Sequence, residues 1–82
     1  MKLLNCIEAQ AARLTEAGVS FGHGTTNAFD EAAWLALWSL GLPVDELDEH
    51  EQQELTPDEL GKIEALITQR IATRKPAAYL TQ

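Results

Sequence analysis

The stretch NAFDEAAWLALWSLGLP, residues 27–43, decides the fold. Its apolar residues Phe29, Ala32, Ala33, Trp34, Leu35, Ala36, Leu37, Trp38 and Leu40 lie almost all the way round a helix. A helix of that kind has no solvent face of its own, which predicts a place in the middle of a bundle. Its ends are marked as well. Asn27 suits the N-cap, Asp30 and Glu31 complement the positive end of the helix dipole, and Gly41 and Pro43 stop the helix.

Outward from this helix, the rest of the chain reads as further helices without a convincing strand. Leu4, Ile7, Ala11 and Leu14 recur at steps of three and four, predicting an amphipathic helix over roughly residues 2–17 with Gly18 as its stop. TPDEL, residues 56–60, is a helix start: Thr56 caps, Pro57 occupies the first turn where its missing N–H costs nothing, and Glu59 completes a capping box. Leu60, Ile63, Ile67 and Ile71 then form the apolar stripe of a third long helix, bounded by Pro76. Leu47 sits in a possible short helical turn between the second and third helices. The expected fold class is all-α: a small helical bundle of three long helices plus short helical turns.

Composition narrows the function. An 82-residue chain makes one domain with a modest core and little room for an enclosed catalytic cleft. Cys6 is the single cysteine, so there is neither a disulfide framework nor a Cys-x-x-Cys pair, and a reducing, cytoplasmic setting is expected. Asn5, Glu8, Gln10, Arg13 and Glu16 interrupt any signal-like apolar run, and no stretch reaches membrane-spanning length. Of the thirteen acids, eight (Asp45, Glu46, Asp48, Glu49, Glu51, Glu54, Asp58 and Glu59) crowd one segment, and no Lys or Arg lies between Arg13 and Lys62. A net charge of -7 argues against nucleic acid and for a basic partner. As a segment of its own, this run reads as a solvated linker.

The turn FGHGTTN, residues 21–27, is the one place that suggests chemistry. Gly22 and Gly24 follow a helix, not a strand, and no third glycine or Gly-Lys-Ser/Thr ending accompanies them, so a nucleotide-phosphate loop is not expected. Local helix-start chemistry is reason enough for the composition. His23 has no second histidine or cysteine at ligand spacing, and His50 lies in the acidic segment. No metal site follows. Cys6 on the inner face of the first helix reads as a small core residue, Trp34 and Trp38 as core aromatics, and the exposed acid pairs lack the burial that separates pKa values for acid–base catalysis. The residues alone therefore assign no catalytic group to this chain.

FGHGTTNAFDEAAWLALWSLGLP together with RKPAAYLTQ resembles the N-terminal region of bacterial protein-glutamine N-methyltransferases, the branch acting on ribosomal protein three of the large subunit. The specific motif is an aromatic residue, Gly-His-Gly-Thr, one residue, Asn, two residues, then Asp-Glu-Ala; Arg-x-Pro followed by Tyr-Leu-Thr is shared with the related release-factor methyltransferases. The resemblance implies a helical substrate-recognition domain at 1–75, with 76–82 beginning a linker to a catalytic domain that is absent here. That domain binds S-adenosylmethionine and carries Asn-Pro-Pro-Tyr. None of Pro43, Pro57 and Pro76 follows an asparagine, so this chain supplies no such motif and no cofactor site. The implied partners are a basic ribosomal protein and the intramolecular catalytic domain. Phe21, His23, Thr25, Asn27, Asp30 and Glu31 are the implied substrate contacts. A free-standing helical adaptor, anchored through Trp38, Tyr79 and Leu80, is the alternative, as is an appendage that only stabilises a neighbouring domain.

Overall fold

A computed structural model describes residues 1–21, 27–75 and 77–81, the side chains of Ala78 and Tyr79 excepted. In chain order the described residues form α1 (Leu3–Ala17), α2 (Ala28–Ser39), α3 (Leu47–His50), α4 (Pro57–Thr73) and α5 (Ala77–Leu80). The all-α bundle of three long helices and short turns is what the apolar spacing predicts. None of the described helices is long and apolar enough to cross a membrane.

α1 buries Leu3, Cys6, Ile7, Gln10 and Leu14 and ends where Gly18 turns left-handed at φ 66°. That conformation suits glycine, and it lets the Gly18 N–H reach Thr15 O at 3.1 Å. The one polar residue on this face is satisfied. Gln10 Oε1 accepts from Arg13 Nη1 at 2.9 Å, and Arg13 Nη2 reaches across to Thr68 Oγ1 on α4 at 2.8 Å.

The other end of α1 is held in a way the sequence did not suggest. Lys2 at the N-cap offers no side-chain acceptor, and the first turn has no acid. The orphan N–H groups of Leu3 and Leu4 instead donate to Gln53 O and Glu51 O, both at 2.9 Å, and Leu55 N donates back to Met1 O at 3.0 Å. Lys2 and Glu54 thereby form an isolated antiparallel bridge. The acidic segment, expected to be a solvated linker, is thus corrected to a packed strap whose backbone caps α1. Leu55 at its end is buried.

α2 packs chiefly on α1 and then on α4. Ala32, Leu35, Ala36 and Leu37 are fully buried, and the alanines let α1 approach closely. A second correction falls here. Trp38 is 44% exposed and Phe29 also faces solvent, so Trp38 is not a core residue, while Trp34 is half-buried and packs against the margin of the core. An apolar helix flanked by only two long neighbours keeps part of its circumference open, whatever its composition.

α4 begins as predicted. Thr56 Oγ1 accepts from Glu59 N at 3.1 Å and Thr56 N donates to Glu59 Oε1 at 2.8 Å, closing the capping box. Ile63 and Ile67 are buried, with Leu60 and Ile71 at the margin. The helix ends at Arg74, a non-glycine residue at φ 58°, where Arg74 Nη1 donates to Ala17 O at 2.7 Å and so caps the carbonyl end of α1. Pro76, the expected boundary, lies outside the described residues. Within the segment 76–82, expected to begin a linker, Ala77–Leu80 form α5, which packs on α2 with Ala77 fully buried.

These contacts predict an unequal response along α2. Leu37→Ala should lower the unfolding free energy by about 2–5 kcal/mol, as core truncations do, while Trp38→Ala should cost far less. Urea titration of the two variants checks this, and equal losses would make Trp38 part of the core.

Candidate functional site

The candidate contact residues gather around the start of α2, and the structure sorts them by burial. Asn27 is exposed in extended geometry, and its Oδ1 accepts from Asp30 N at 2.8 Å while its Nδ2 donates to Asp30 Oδ2 at 3.2 Å. These two polar side chains face solvent together. Phe21 is half-buried against the core. His23 and Thr25 lie outside the described residues.

Glu31 requires a correction. Expected among the substrate contacts, it is 1% exposed and forms a buried ion pair with Arg70, Nε to Oε2 at 2.6 Å. Position 31 lies one helical turn before Leu35, on the face that α2 turns inward, which removes the side chain from any partner's reach. Its other oxygen, Oε1, accepts from the Ala77 N–H at 3.4 Å. Arg70, also 1% exposed, donates through Nη2 to Ser20 O at 2.5 Å, while Nη1 is buried with no hydrogen-bond partner among the described residues.

Arg70 is the residue that sequence reading missed. The stripe was drawn through Ile67 and Ile71, yet position 70 is three residues after Ile67 and faces the same way. The available signal was the coincidence of one acid and one base on two apolar faces. A consequence follows for the family motifs. Glu31 of the first and Ala77 of the second, distant in sequence, meet in space, because Glu31 Oε1 accepts the Ala77 N–H.

Away from this cluster, the acidic segment exposes Asp45, Asp48, Glu49, Glu54 and Asp58, and its other three acids are half-buried. Among the described residues, only Glu54 of these acids has an ion-pair partner, the Met1 ammonium at 3.3 Å. Glu46, Glu49 and His50 bring ligand-type atoms within 4.8 Å of one another, so His50 does have acidic company; the density of acids in the segment accounts for that grouping. Burial pushes the Cys6 thiol above its ordinary pKa, the nearby Glu64 carboxylate adds to the rise, and the residue is therefore a poor nucleophile at neutral pH. A cavity of about 350 Å³ opens between α2 and α4, lined by Trp38, Ser39, Lys62, Ala65, Leu66 and Gln69.

These features define a small all-α domain with an acidic face. The chain belongs to the PrmC N-terminal domain family, which matches residues 6–81. It is 46% identical over 71 residues to the ribosomal protein uL3 glutamine methyltransferase of Burkholderia pseudomallei, an alignment covering 87% of this chain and 23% of that relative. The enzyme of the same description from Bordetella pertussis is 43% identical over 79 residues, covering 96% and 26%. That from Neisseria meningitidis serogroup B is 47% identical over 70 residues, covering 85% and 23%. The chain spans about a quarter of the length of the curated relatives it matches. No solved structure matches it.

The ion pair gives this site its own prediction. Glu31→Gln or Arg70→Met alone strands a buried partner and should cost about 3–5 kcal/mol, whereas Asn27→Ala removes one cap and should cost about 1 kcal/mol. Thermal unfolding of the three variants gives the ranking, and a mild Glu31→Gln would show the pair to be solvated.

Proposed function

We propose that this chain is the N-terminal, substrate-binding domain of an S-adenosylmethionine-dependent methyltransferase that modifies a glutamine side-chain amide of large-subunit ribosomal protein uL3, and that it carries none of the chemistry itself. The relatives' names support the reaction and the substrate. The observation that carries a binding role is the acidic segment: its carboxylates are almost without cationic partners, yet its backbone is fixed to α1. Fixed, unpaired charge attracts a basic protein without the ordering cost of a loose tail. Holding the substrate beside a catalytic domain raises its effective concentration there, and proximity is this domain's contribution to the rate.

The exposed parts of the start of α2 supply short-range contact. Asn27 and Asp30 are held by their mutual hydrogen bonds and present polar groups outward, with Phe21 beside the core and His23 and Thr25 in the intervening turn. The adaptor reading rests on one observation, the exposed Trp38 at the rim of the α2–α4 cavity.

Replacing Asp45, Glu46, Asp48 and Glu49 by their amides should weaken binding to uL3 at low salt, the deficit shrinking as ionic strength rises through the range where the Debye length falls below about 10 Å. Association measured at several salt concentrations tests it, and superimposable curves for parent and variant would remove the acidic segment from recognition. Calorimetry with S-adenosylmethionine should show no saturable heat. A micromolar isotherm would place a cofactor site in this chain.

A further inference from the structure

The buried pair does more than close a gap in the core. Around it converge four pieces of backbone that are not otherwise neighbours in sequence: the stretch leading into the turn through Ser20 O, the first turn of α2 through Glu31, the last turn of α4 through Arg70, and the first residue of α5 through the Ala77 N–H. Arg74, one turn further along α4, adds a fifth tie to Ala17 O.

An ion pair is a poor device if stability were its only purpose. Taking both groups out of water costs several kcal/mol each, and an apolar pair of similar volume is often as good or better. Here Arg70 Nη1 is buried with no hydrogen-bond partner among the described residues, so those residues do not fully offset the desolvation. What the pair supplies, and a leucine–methionine pair would not, is direction. A carboxylate with one oxygen on a guanidinium at 2.6 Å and the other facing a backbone N–H at 3.4 Å orients both groups, the guanidinium the more tightly.

From this we infer that Glu31 is a positioning residue: it sets the angle at which α5, and the polypeptide beyond it, leaves the domain relative to Ser20 and the first turn of α2. The functional consequence rests on the reading given under Proposed function, because the turn then meets the substrate while the chain beyond α5 leads to the catalytic domain. One carboxylate would register the two. Displacing α5 removes a hydrogen bond from the group that also holds Arg70, and through it Ser20, so the two segments move as a unit.

The test uses this chain and needs no substrate, which separates its failure from a failure of the functional reading. Amide hydrogen exchange is measured by NMR in the parent, in Glu31→Asp, and in the double variant Glu31→Leu/Arg70→Met. Glu31→Asp keeps the charge but is one methylene short of reaching both partners. The double variant leaves no buried charge behind. In each, the Ala77 and Thr81 amides, the latter donating to Ala77 O at 3.1 Å, should exchange about tenfold faster or more, as expected for loss of a charge-assisted hydrogen bond. In the double variant, where no charge is stranded, the Leu14 and Ile67 amides in the helix interiors should keep the protection they have in the parent, which a general loss of stability would not allow. Unchanged protection at Ala77 and Thr81 in a folded Glu31→Asp protein overturns the inference, whether or not the double variant folds. So does a uniform loss of protection across α1, α4 and α5 in a folded double variant, which would make Glu31 a stabilising residue only.

Discussion

A carboxylate and a guanidinium shut into the interior at 2.6 Å impose conditions that apolar contacts do not. Leucine against isoleucine tolerates small slides and rotations, because dispersion depends weakly on direction; a buried charge that loses its partner is penalised by the whole of its desolvation. Every element touching Glu31 and Arg70 must therefore arrive in one register. α2 must bring position 31 inward at its first turn, and α4 must be long enough for position 70 to come level with it. The chain between α1 and α2 must present Ser20 O. The apolar residues of α1, α2 and α4 supply most of the stability, while the pair selects the arrangement in which it is collected.

The opposite end of α1 obeys a second constraint of the same kind. Its leading N–H groups have no capping side chain, and they take carbonyls from residues 51 and 53 instead. A segment with this much like charge would otherwise extend into solvent. Its backbone bonds are indifferent to side-chain charge, so the acids can stay unneutralised while the chain beneath them is fixed. That separation of roles, backbone for anchoring and side chains for field, reconciles a packed segment with a composition that reads as linker.

What was legible in the sequence is what depends on near neighbours. The helix at 28–39, the Thr56–Glu59 capping box, the glycine stop at 18 and the buried Ile7, Leu14, Ile63 and Ile67 all follow from spacing within a few turns. The three misreadings share the opposite property. Whether Trp38 is covered depends on how many helices flank α2, whether Glu31 faces a partner protein or Arg70 depends on a residue 39 positions away, and the strap over α1 pairs residues about 50 apart. For the candidate site, Asn27 and Asp30 were legible because capping is local. Glu31 was not: the dipole rule that explains an acid in a first turn says nothing about which way its side chain points.

The geometry also separates the two features that the proposed function uses. The acidic strap sits at the leading end of α1, and the Glu31–Arg70 cluster, through Ser20 and the Arg74 tie to Ala17, sits at its trailing end. Fifteen residues of helix at about 1.5 Å each place them roughly 20 Å apart. At physiological ionic strength that is more than two Debye lengths of about 8 Å. The strap's field therefore fades before it reaches the turn, and the turn's short-range contacts owe nothing to it. A basic partner engaging both would have to extend along most of the domain, whose longest dimension is 29 Å. Under the proposed function, capture by charge and registration by shape would fall at opposite ends of one helix, which would give α1 a role beyond its share of the core: setting the distance between them.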